Sequence, residues 1–367
     1  MFASRNCKVT FINMQPQAPT PEFTSFARFS TNHPRMEILD FEMDLRAPLD
    51  STIKDPFIMH FQNINHSLDQ LKPILSSSPV NAIFSDFAIA VKMAQISADL
   101  DIPYYILLLP NARSLSKVKG VLLNTFNWFE PETIAALNSC RVLNSLPPLF
   151  PIGPLRSHEP QESHHLPWVN EKPAESVVYV NFGSRDVIST DQIRELRKGL
   201  EICGFNYLWV IKGNEKVQDS KEFVGDSSSE GSKSRGKIIR GWVDQEKILA
   251  HPAIGGFVNQ CEWVSVMQAA WYGVPMLAWP HHCDHKMNAE TVEKAGLGIW
   301  IKDWGWGGEK VVDGKEIGQL LQQIMGDWEI KKAAKNVREK ARETCEVGGS
   351  SEKVLVEVIA MLGSKEK

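Results

Sequence analysis

The sequence predicts an α/β fold with parallel sheets, arranged as about two domains. Short apolar runs alternate with longer segments in which apolar residues recur every three or four positions, as in alternating strands and helices. The length of 367 residues fits about two domains. A proline-rich stretch without clear periodicity, Pro147–Pro173, separates two such alternating regions and is predicted to contain a linker.

In the first region the alternation starts with Cys7–Asn13, a predicted strand. Apolar residues three or four positions apart predict helices over Phe61–Leu75 and Ala88–Leu100, because this spacing places them on one helix face. Short, continuous apolar runs predict further strands at Ala82–Phe84, Tyr104–Leu109 and Val121–Asn124.

In the second region the alternation restarts with Val177–Phe182, a predicted buried strand. Ser189 followed by Gln192 predicts a capping box at the start of a helix. The polar, serine-rich segment Ser220–Arg235 is predicted to be a flexible excursion. Further strands are predicted at Tyr207–Ile211, Ile254–Val258, Met276–Trp279 and Leu297–Ile301. The chain is predicted to end in two helical stretches, Gly314–Cys345 and Ser351–Leu362, joined by Gly348-Gly349.

Composition and charge disfavour several classes of partner. The formal net charge is −4, so no basic face for nucleic acid is expected. No apolar run reaches the roughly 18–20 residues of a membrane span, and the first residues do not resemble a signal peptide. The cysteines lie far apart without a CxxC pair, which indicates reduced thiols. We therefore expect a cytoplasmic monomer with neither a membrane nor a nucleic-acid partner.

One long segment carries a specific resemblance. Trp242–Glu290 reads WVDQEKILAHPAIGGFVNQCEWVSVMQAAWYGVPMLAWPHHCDHKMNAE. Its spacing resembles, without gaps, the donor-binding signature of the plant family-1 UDP-glycosyltransferases. The segments SVVYVNFGS, NTFNWFEPETIAAL and GWGGEKVVDGKEIG are similar to the same family, and GLGIWIKDWGWGG resembles its flavonoid C-glycosyltransferase branch.

The resemblance implies a fold of two Rossmann-like domains that face a cleft, of the GT-B type, with the N-terminal domain incomplete. The expected divisions are an acceptor-side domain over 1–155, a linker over 156–173, a UDP-sugar-binding domain over 174–345 and a C-terminal helix over 346–367. The implied reaction transfers a hexose from UDP-glucose or UDP-galactose to a small phenolic acceptor of plant secondary metabolism. The UDP-sugar is a co-substrate, and the resemblance implies neither a cofactor nor a metal. The choice between C- and O-glycosylation stays open.

The chemistry of the donor site suits these residue types. A strand ending at Val258, followed by a turn and a helix near Ser265, directs backbone N–H groups and a helix dipole at one point, as an anion site requires. By resemblance, Trp242 stacks on uracil, Gln245 reaches the base and ribose, and Asp284 and His285 bond the sugar hydroxyls. The full set of residues implied for UDP-sugar binding is Ser184, Trp242, Val243, Gln245, Gln260, Val264, Ser265, Gln268, Asp284 and His285.

The sequence departs from the family signature at the phosphate end. Gln260 stands in place of a histidine, Glu262 in place of a glycine and Val264 in place of an asparagine. These changes remove hydrogen-bond donors and add a negative charge, so weak donor binding is expected. Gln268 replaces a ribose-binding glutamate and keeps an acceptor without the charge.

The catalytic residues of the first domain also differ from the family. Asp86 matches the aspartate that orients the catalytic histidine, but that histidine has no counterpart, and a segment that follows Leu109 in the family is absent. Two hypotheses follow: a UDP-glycosyltransferase with very low or absent activity, or a non-catalytic, degenerate relative that acts at most as a residual binding protein.

Two motifs have alternative interpretations. Gly255 and Gly256 belong either to the ligand site or to close packing of a helix on a strand, and the sequence does not separate the two. The tract His281–His285 contains metal-binding residue types, but consecutive residues rarely converge on one ion, so a metal site is disfavoured.

Overall fold

The computed structural model describes residues 7–15, 36–42, 64, 67–86, 89–107, 118–139, 147–156, 166–183, 188–211, 235–241, 243–307 and 309–363. The chain divides into two compact units. Unit 1 comprises Met1–Asn124, Glu132–Ile152 and Ser350–Lys367, and unit 2 comprises Thr125–Pro131 and Gly153–Gly349.

The strands of both units pair in parallel. In chain order they are β1 Val9–Gln15, β2 Met36–Glu42, β3 Ile83–Asp86, β4 Tyr104–Leu107, β5 Gly120–Leu123, β6 Leu149–Pro151, β7 Val177–Asn181, β8 Asn206–Ile211, β9 Gly236–Arg240, β10 Ile254–Asn259, β11 Met276–Ala278 and β12 Gly298–Trp300.

The helices connect and cover these strands. They are α1 Leu71–Ser76, α2 Ala90–Asp99, α3 Pro131–Asn138, α4 Leu166–Asn170, α5 Thr190–Cys203, α6 Gln245–Ala250, α7 Trp263–Tyr272, α8 His285–Lys294, α9 Gly314–Gly326, α10 Trp328–Cys345 and α11 Ser350–Gly363. Among the described residues, no helix is both long enough and apolar enough to cross a membrane.

Unit 1 contains the sheet β3-β4-β5-β6 and the separate pair β1-β2. Its apolar cluster joins the inner residues of the sheet to those of the helices, for example Ile106 and Val121 to Leu71 and Ile96. Helix α2 lies between β3 and β4 in the chain, and this order with parallel pairing is expected of a β–α–β unit.

Unit 2 is built on one six-stranded sheet, in the order β12-β11-β10-β7-β8-β9. Because successive side chains of a strand point to opposite faces, alternate residues of β7 enter different cores. Val178 and Val180 pack with residues of α5 and α9. Val177 and Tyr179 pack with residues of α7, α8 and α10. Both faces of this sheet are therefore covered by helices.

The predicted α/β fold with parallel sheets is confirmed. In the second region each predicted strand lies within one residue of an observed strand. Strand β9 was not predicted, because only Ile238 and Ile239 of its residues are apolar and it lies at the sheet edge. Part of the predicted helix Phe61–Leu75 and nearly all of the polar segment Ser220–Arg235 lie outside the described residues.

Two predictions about helices need correction. The stretch Gly314–Cys345 is not one helix, because Asp327 has an extended backbone and its carboxylate accepts hydrogen bonds from Glu329 N and Ile330 N, which starts a new helix. The capping box at Ser189 is only half formed. Ser189 accepts from Gln192 N, but the Gln192 side chain instead bonds both the N–H and the carbonyl of Val312.

The glycine pair of β10 is explained by packing. A Cβ at Gly255 would approach the carbonyl oxygen of Glu175 at 2.5 Å, and a Cβ at Gly256 would approach Met325 Sδ at 2.9 Å. Both distances are shorter than ordinary contacts. The backbone of Glu175 therefore leaves no room for a side chain at Gly255, whereas at Gly256 the side chain of Met325 in α9 would have to move.

Candidate functional site

The strand order of unit 2 defines where a ligand site is expected. From β7 the chain proceeds through β8 and β9 to one edge of the sheet, and from β10 it proceeds through β11 and β12 to the other. In open parallel sheets, ligands bind beyond the carboxyl ends of the strands at such a reversal. β7 and β10 pair directly, so Phe182 and Gln260, which follow them, begin neighbouring loops at this point.

The turn after β10 is held by asparagines. Asn259 Nδ2 donates to Asn181 O at 2.7 Å, and Asn259 Oδ1 accepts from Cys261 N at 2.8 Å. Asn288 Nδ2 donates to Cys261 O at 2.9 Å. These bonds secure Cys261 in a left-handed backbone conformation, with φ of 70°. The turn that leads into α7 is therefore fixed from both β7 and α8.

A connected set of polar side chains lies beside this turn, and we call it the glutamine network: Tyr179, Asn181, Gln245, Ser265 and Gln268. Gln245 Nε2 donates to Ser265 Oγ at 2.9 Å and to Gln268 Oε1 at 2.8 Å. Gln245 Oε1 accepts from Asn181 Nδ2 at 2.8 Å, and Asn181 Nδ2 also donates to the Tyr179 hydroxyl at 3.0 Å. The structure therefore brings together Gln245, Ser265 and Gln268, which the sequence predicted as donor-site residues.

Burial keeps two reactive groups at this end of the sheet protonated. It raises the pKa of the Tyr179 hydroxyl and that of the Cys261 thiol, because the charged form of each would lose its hydration. At neutral pH, Tyr179 remains a hydroxyl and Cys261 remains a thiol. Cys261 thus supplies no thiolate nucleophile to the site.

The first turn of α7 has the geometry of an anion site. Glu262 is the N-cap residue, and its side chain makes no capping hydrogen bond with the turn. Val264 is 48% exposed and offers only apolar surface, while Ser265 Oγ is engaged by Gln245. The backbone N–H groups and the dipole of α7 favour an anion. The side chains around them contribute a carboxylate and methyl groups in place of donors.

His285 is buried behind this turn. Its Nδ1 faces the backbone N–H groups of His281 and His282, each at 3.4 Å, and its Nε2 lies 3.7 Å from Glu262 Oε2. Asp284 is exposed, and its Oδ2 accepts from Asn288 Nδ2 at 3.0 Å. Asp284 is thus accessible to a sugar hydroxyl, whereas both ring nitrogens of His285 already face protein atoms. The predicted sugar contact of His285 stays a prediction.

Gln260, at the carboxyl end of β10, is 4% exposed. Among the described residues, no group donates a hydrogen bond to its buried Oε1. The side-chain amide lies against Gly183, where a Cβ would collide with Nε2, and Gly183 itself has φ of 75°. Gln260 therefore brings an unsatisfied acceptor to the loop that follows β7.

The other predicted residues lie outside the glutamine network or outside the residues that the structure describes. Val243 is buried just before α6. Ser184 and Trp242 lie outside the described residues. Asp86 is the last residue of β3 in unit 1, and its side chain is not described. In the described part of the chain, no histidine, cysteine or carboxylate side chains form a group that could hold a metal ion, the tract His281–His285 included.

Sequence reasoning missed the asparagines that shape the site. Asn181 and Asn259 each end a buried strand, and both were included in apolar runs or left aside. An asparagine as the last residue of a buried parallel strand is the signal that was available, because its side chain can reach across to the neighbouring loop. Asn288 was noted only as part of the signature.

Comparisons with known proteins agree on one family. The model described as "UDP-glucoronosyl and UDP-glucosyl transferase" matches residues 134–305. The chain is 35% identical over 418 aligned positions to UDP-glycosyltransferase 708C1 of Fagopyrum esculentum, with 98% of this chain and 90% of the relative covered. It is 30% identical to UDP-glycosyltransferase CGT of Oryza sativa subsp. japonica, with 97% and 90% covered.

A solved structure is similar over nearly the whole chain. The crystal structure of LpCGTa in complex with UDP has a TM-score of 0.84 and 31% identity, with 99% of this chain and 94% of that chain covered. The alignment with the Fagopyrum protein has 418 positions, more than the 367 residues of this chain, so that relative contains segments that this chain lacks. This difference fits the internal shortening that the sequence predicted.

Proposed function

The chain belongs to the plant family-1 UDP-glycosyltransferases, which transfer a sugar from a UDP-sugar to an acceptor, and on that premise we propose a reaction, a donor site and a level of activity for it. Its fold is of the GT-B type. The proposed reaction is transfer of a hexose from UDP-glucose or UDP-galactose to a small phenolic acceptor. Donor binding is weak and turnover is very low. The cytoplasmic location and monomeric state stay predictions.

The glutamine network is the observation that supports a nucleotide site. It places the Gln245 and Gln268 side chains beside Ser265, next to the strand reversal where a ligand is expected. With Trp242 as the platform for uracil, this end of the site supplies hydrogen-bonding groups to the base and ribose. Exposed Asp284 is assigned to the sugar hydroxyls.

Weak donor binding follows from the opposite end of the site. Binding of a diphosphate at a helix N-terminus is strengthened by donors and cations near the first turn. Here Val264 offers no donor, the unpaired atom of Gln260 is an acceptor, and Glu262 carries a negative charge. Each lost charge-assisted hydrogen bond costs roughly 1.5–3 kcal/mol.

Low turnover follows from the first unit. A positioned general base increases the rate by roughly 10²–10⁴-fold. The resemblance assigns that role to a histidine oriented by Asp86, and no histidine of the sequence matches it in the family pattern. Without that base, no positioned side chain takes the proton that the phenolic acceptor loses when it bonds to the sugar and UDP departs, so only the slower uncatalysed proton loss remains.

The altered phosphate end also favours a second candidate. A chain that keeps the glutamine network but loses phosphate donors and the base has the features of a residual, non-catalytic nucleotide-binding protein. The two candidates predict different outcomes when donor binding is repaired, because a binding protein gains affinity without gaining turnover.

The test uses the purified full chain and a matched repair variant. Calorimetry with UDP should give binding weaker than about 1 mM for the unmodified chain. The triple variant Gln260→His, Glu262→Gly, Val264→Asn should bind measurably. Mass spectrometry with UDP-glucose, UDP-galactose and a panel of phenolic acceptors should detect no appreciable product.

Three outcomes are decisive. Micromolar binding of UDP to the unmodified chain would contradict the proposed phosphate end. Product formed over many turnovers, and abolished by Asp86→Ala, would show that a base has been recruited from elsewhere. Restored binding with no product from either donor would select the non-catalytic candidate.

A further inference from the structure

The N-terminus of α7 carries its own carboxylate. Glu262 is the N-cap residue, in a position where many helices use a side-chain oxygen to bond the N–H groups of the first turn. Its side chain does not do so, and 57% of that side chain is exposed. Glu262 and the N–H groups of the first turn therefore share one end of the helix, and the Glu262 side chain does not cap those N–H groups.

The buried ring of His285 orients the Glu262 carboxylate. Nδ1 of His285 faces two backbone N–H groups, so Nδ1 acts as an acceptor and the ring proton lies on Nε2. Nε2 is 3.7 Å from Glu262 Oε2, and the ring is 1% exposed. A buried ring held by the backbone gives the carboxylate a preferred orientation beside the helix end.

The charge of Glu262 acts against a phosphate but not against a neutral group. A phosphate bound to the first-turn N–H groups would lie at the same helix end as this carboxylate, and repulsion between like charges about 5 Å apart at an effective dielectric of about 20 weakens binding tenfold or more. Added salt reduces such repulsion, because the screening length falls from about 10 Å at 0.1 M to about 3 Å at 1 M.

A second, independent observation, at Gln260, also favours a ligand that offers hydrogen-bond donors over one that carries a phosphate. Its Oε1 is buried and, among the described residues, receives no hydrogen bond. A buried acceptor without a donor is unfavourable, and a hydroxyl or amide N–H satisfies it, whereas a phosphate oxygen does not. An unsatisfied acceptor and a carboxylate are therefore present at this end of the site, where the family signature has a histidine and a glycine.

From these observations we propose that Glu262 determines the ligand preference of the site, which binds the neutral nucleoside uridine at least as tightly as UDP. This inference rests on the proposed function only in taking the site as one for uridine nucleotides. Glu262 acts here as a specificity-determining residue, and its effect is confined to ligands that bear phosphate.

The experiment compares uridine, UMP and UDP by saturation-transfer NMR titration, up to about 10 mM ligand. The full chain is measured beside Glu262→Gln, which keeps an oxygen to face His285 Nε2. Glu290→Gln is the matched control, since Glu290 is an exposed carboxylate of α8 that pairs with Lys294 at 2.9 Å. Removing the charge of Glu262 should strengthen UDP binding at least tenfold and leave uridine within about threefold. The advantage of Glu262→Gln for UDP should shrink in 0.5 M salt.

The outcomes separate this inference from the proposed function. UDP binding that Glu262→Gln leaves unchanged, or that Glu290→Gln strengthens equally, would overturn the role of Glu262 while leaving weak donor binding intact. If the unmodified chain binds UDP tenfold more tightly than uridine, that result would overturn the inference outright. Failure of all three ligands to bind Glu262→Gln would also overturn it. Unchanged uridine binding in both variants serves as the check that they are folded.

Discussion

At the scale of single residues, Gln245 is the centre of the nucleotide end of the site. Its amide is used as two donors, to Ser265 and Gln268, and as an acceptor from Asn181. Only a side-chain amide offers this combination, because a glutamate would bring an acceptor against Gln268 Oε1 and lose both donors. The same residue therefore stabilises the site and orients the groups that would contact a ligand.

We expect Gln245→Ala to lower the free energy of unfolding of unit 2 by about 1–3 kcal/mol, because it leaves partly buried polar groups without their partner. Urea unfolding followed by tryptophan fluorescence measures this change. Gln323→Ala, at an exposed position of α9, is the control and should change stability by less than about 0.5 kcal/mol. Equal effects of the two substitutions would contradict the role of the network.

The role of a residue could be predicted where a local motif or a resemblance specified it. It could not be predicted where the role depends on a partner that is distant in sequence. Ser189 was predicted as an N-cap from its own neighbourhood and is one. Gln192 was assigned to the same cap, but its side chain bonds Val312, which lies 120 positions away. Asn181 was counted as part of an apolar strand, because the residues around it in the sequence do not indicate its hydrogen bond to Gln245.

At the scale of elements, strong apolar runs were predictable and edges and breaks were not. β7 and β10 are buried throughout, so their sequences carry a continuous apolar signal. The edge strand β9 has few apolar residues and so gives little apolar signal. It pairs only with β8 among the described strands. The break between α9 and α10 lies at Asp327, whose extended backbone and capping carboxylate interrupt a stretch that is otherwise helical in its periodicity.

Asp327→Ala should destabilise unit 2 by about 1 kcal/mol, because α10 loses the carboxylate that accepts from Glu329 N at 2.8 Å and from Ile330 N at 3.4 Å. Asp327→Ser retains a capping oxygen and should recover most of this loss. The measurement is the urea midpoint of each variant. Identical midpoints for the alanine and serine variants would exclude capping as the cause.

The pairing of α10 with the loop before β7 should make stability depend on pH. Glu175 contacts Lys335 at 2.7 Å and Lys331 at 3.1 Å, and these ammonium groups lower its pKa below the ordinary value of 4.5. A lowered pKa in the folded state adds stability above pH 4.5, which is lost as the pH falls through the folded-state pKa. Partial exposure of Glu175 keeps the effect small.

We therefore expect the unmodified chain to be more stable than Glu175→Gln at pH 7, with the difference disappearing as the pH is lowered below 4.5. Urea midpoints of the two proteins across this pH range provide the test. Glu339→Gln, at an exposed position of the same helix, is the control. A difference that grows on acidification would contradict the assigned sign.

At the scale of the whole molecule, the two units differ in how much of their sheets is covered. The sheet of unit 2 has an apolar cluster on each face, and its central strands contain several fully buried residues, among them Val178, Val180 and Val258. The described part of unit 1 has one cluster, built on strands of three or four residues and on the pair β1-β2. Stability should be distributed in the same way, because apolar burial is the dominant favourable contribution to folding.

Limited proteolysis of the full chain should therefore cut within Met1–Pro151 well before it cuts within Pro173–Met325. Native-state hydrogen exchange gives the same comparison without a protease: amides of β7 and β10 should be protected longest, and those of β1 and β2 should exchange first, since Phe11 of β1 is 38% exposed.

Mass spectrometry of the fragments identifies each site of cleavage or exchange. Cleavage in solvent-exposed loops of unit 2 alone does not report stability, so the decisive peptides are those of the strands. Equal protection of the strands in both units would contradict the prediction, and it would place the functional deficit in the site residues alone, because unit 1 would then be as stable as the unit that holds the nucleotide site.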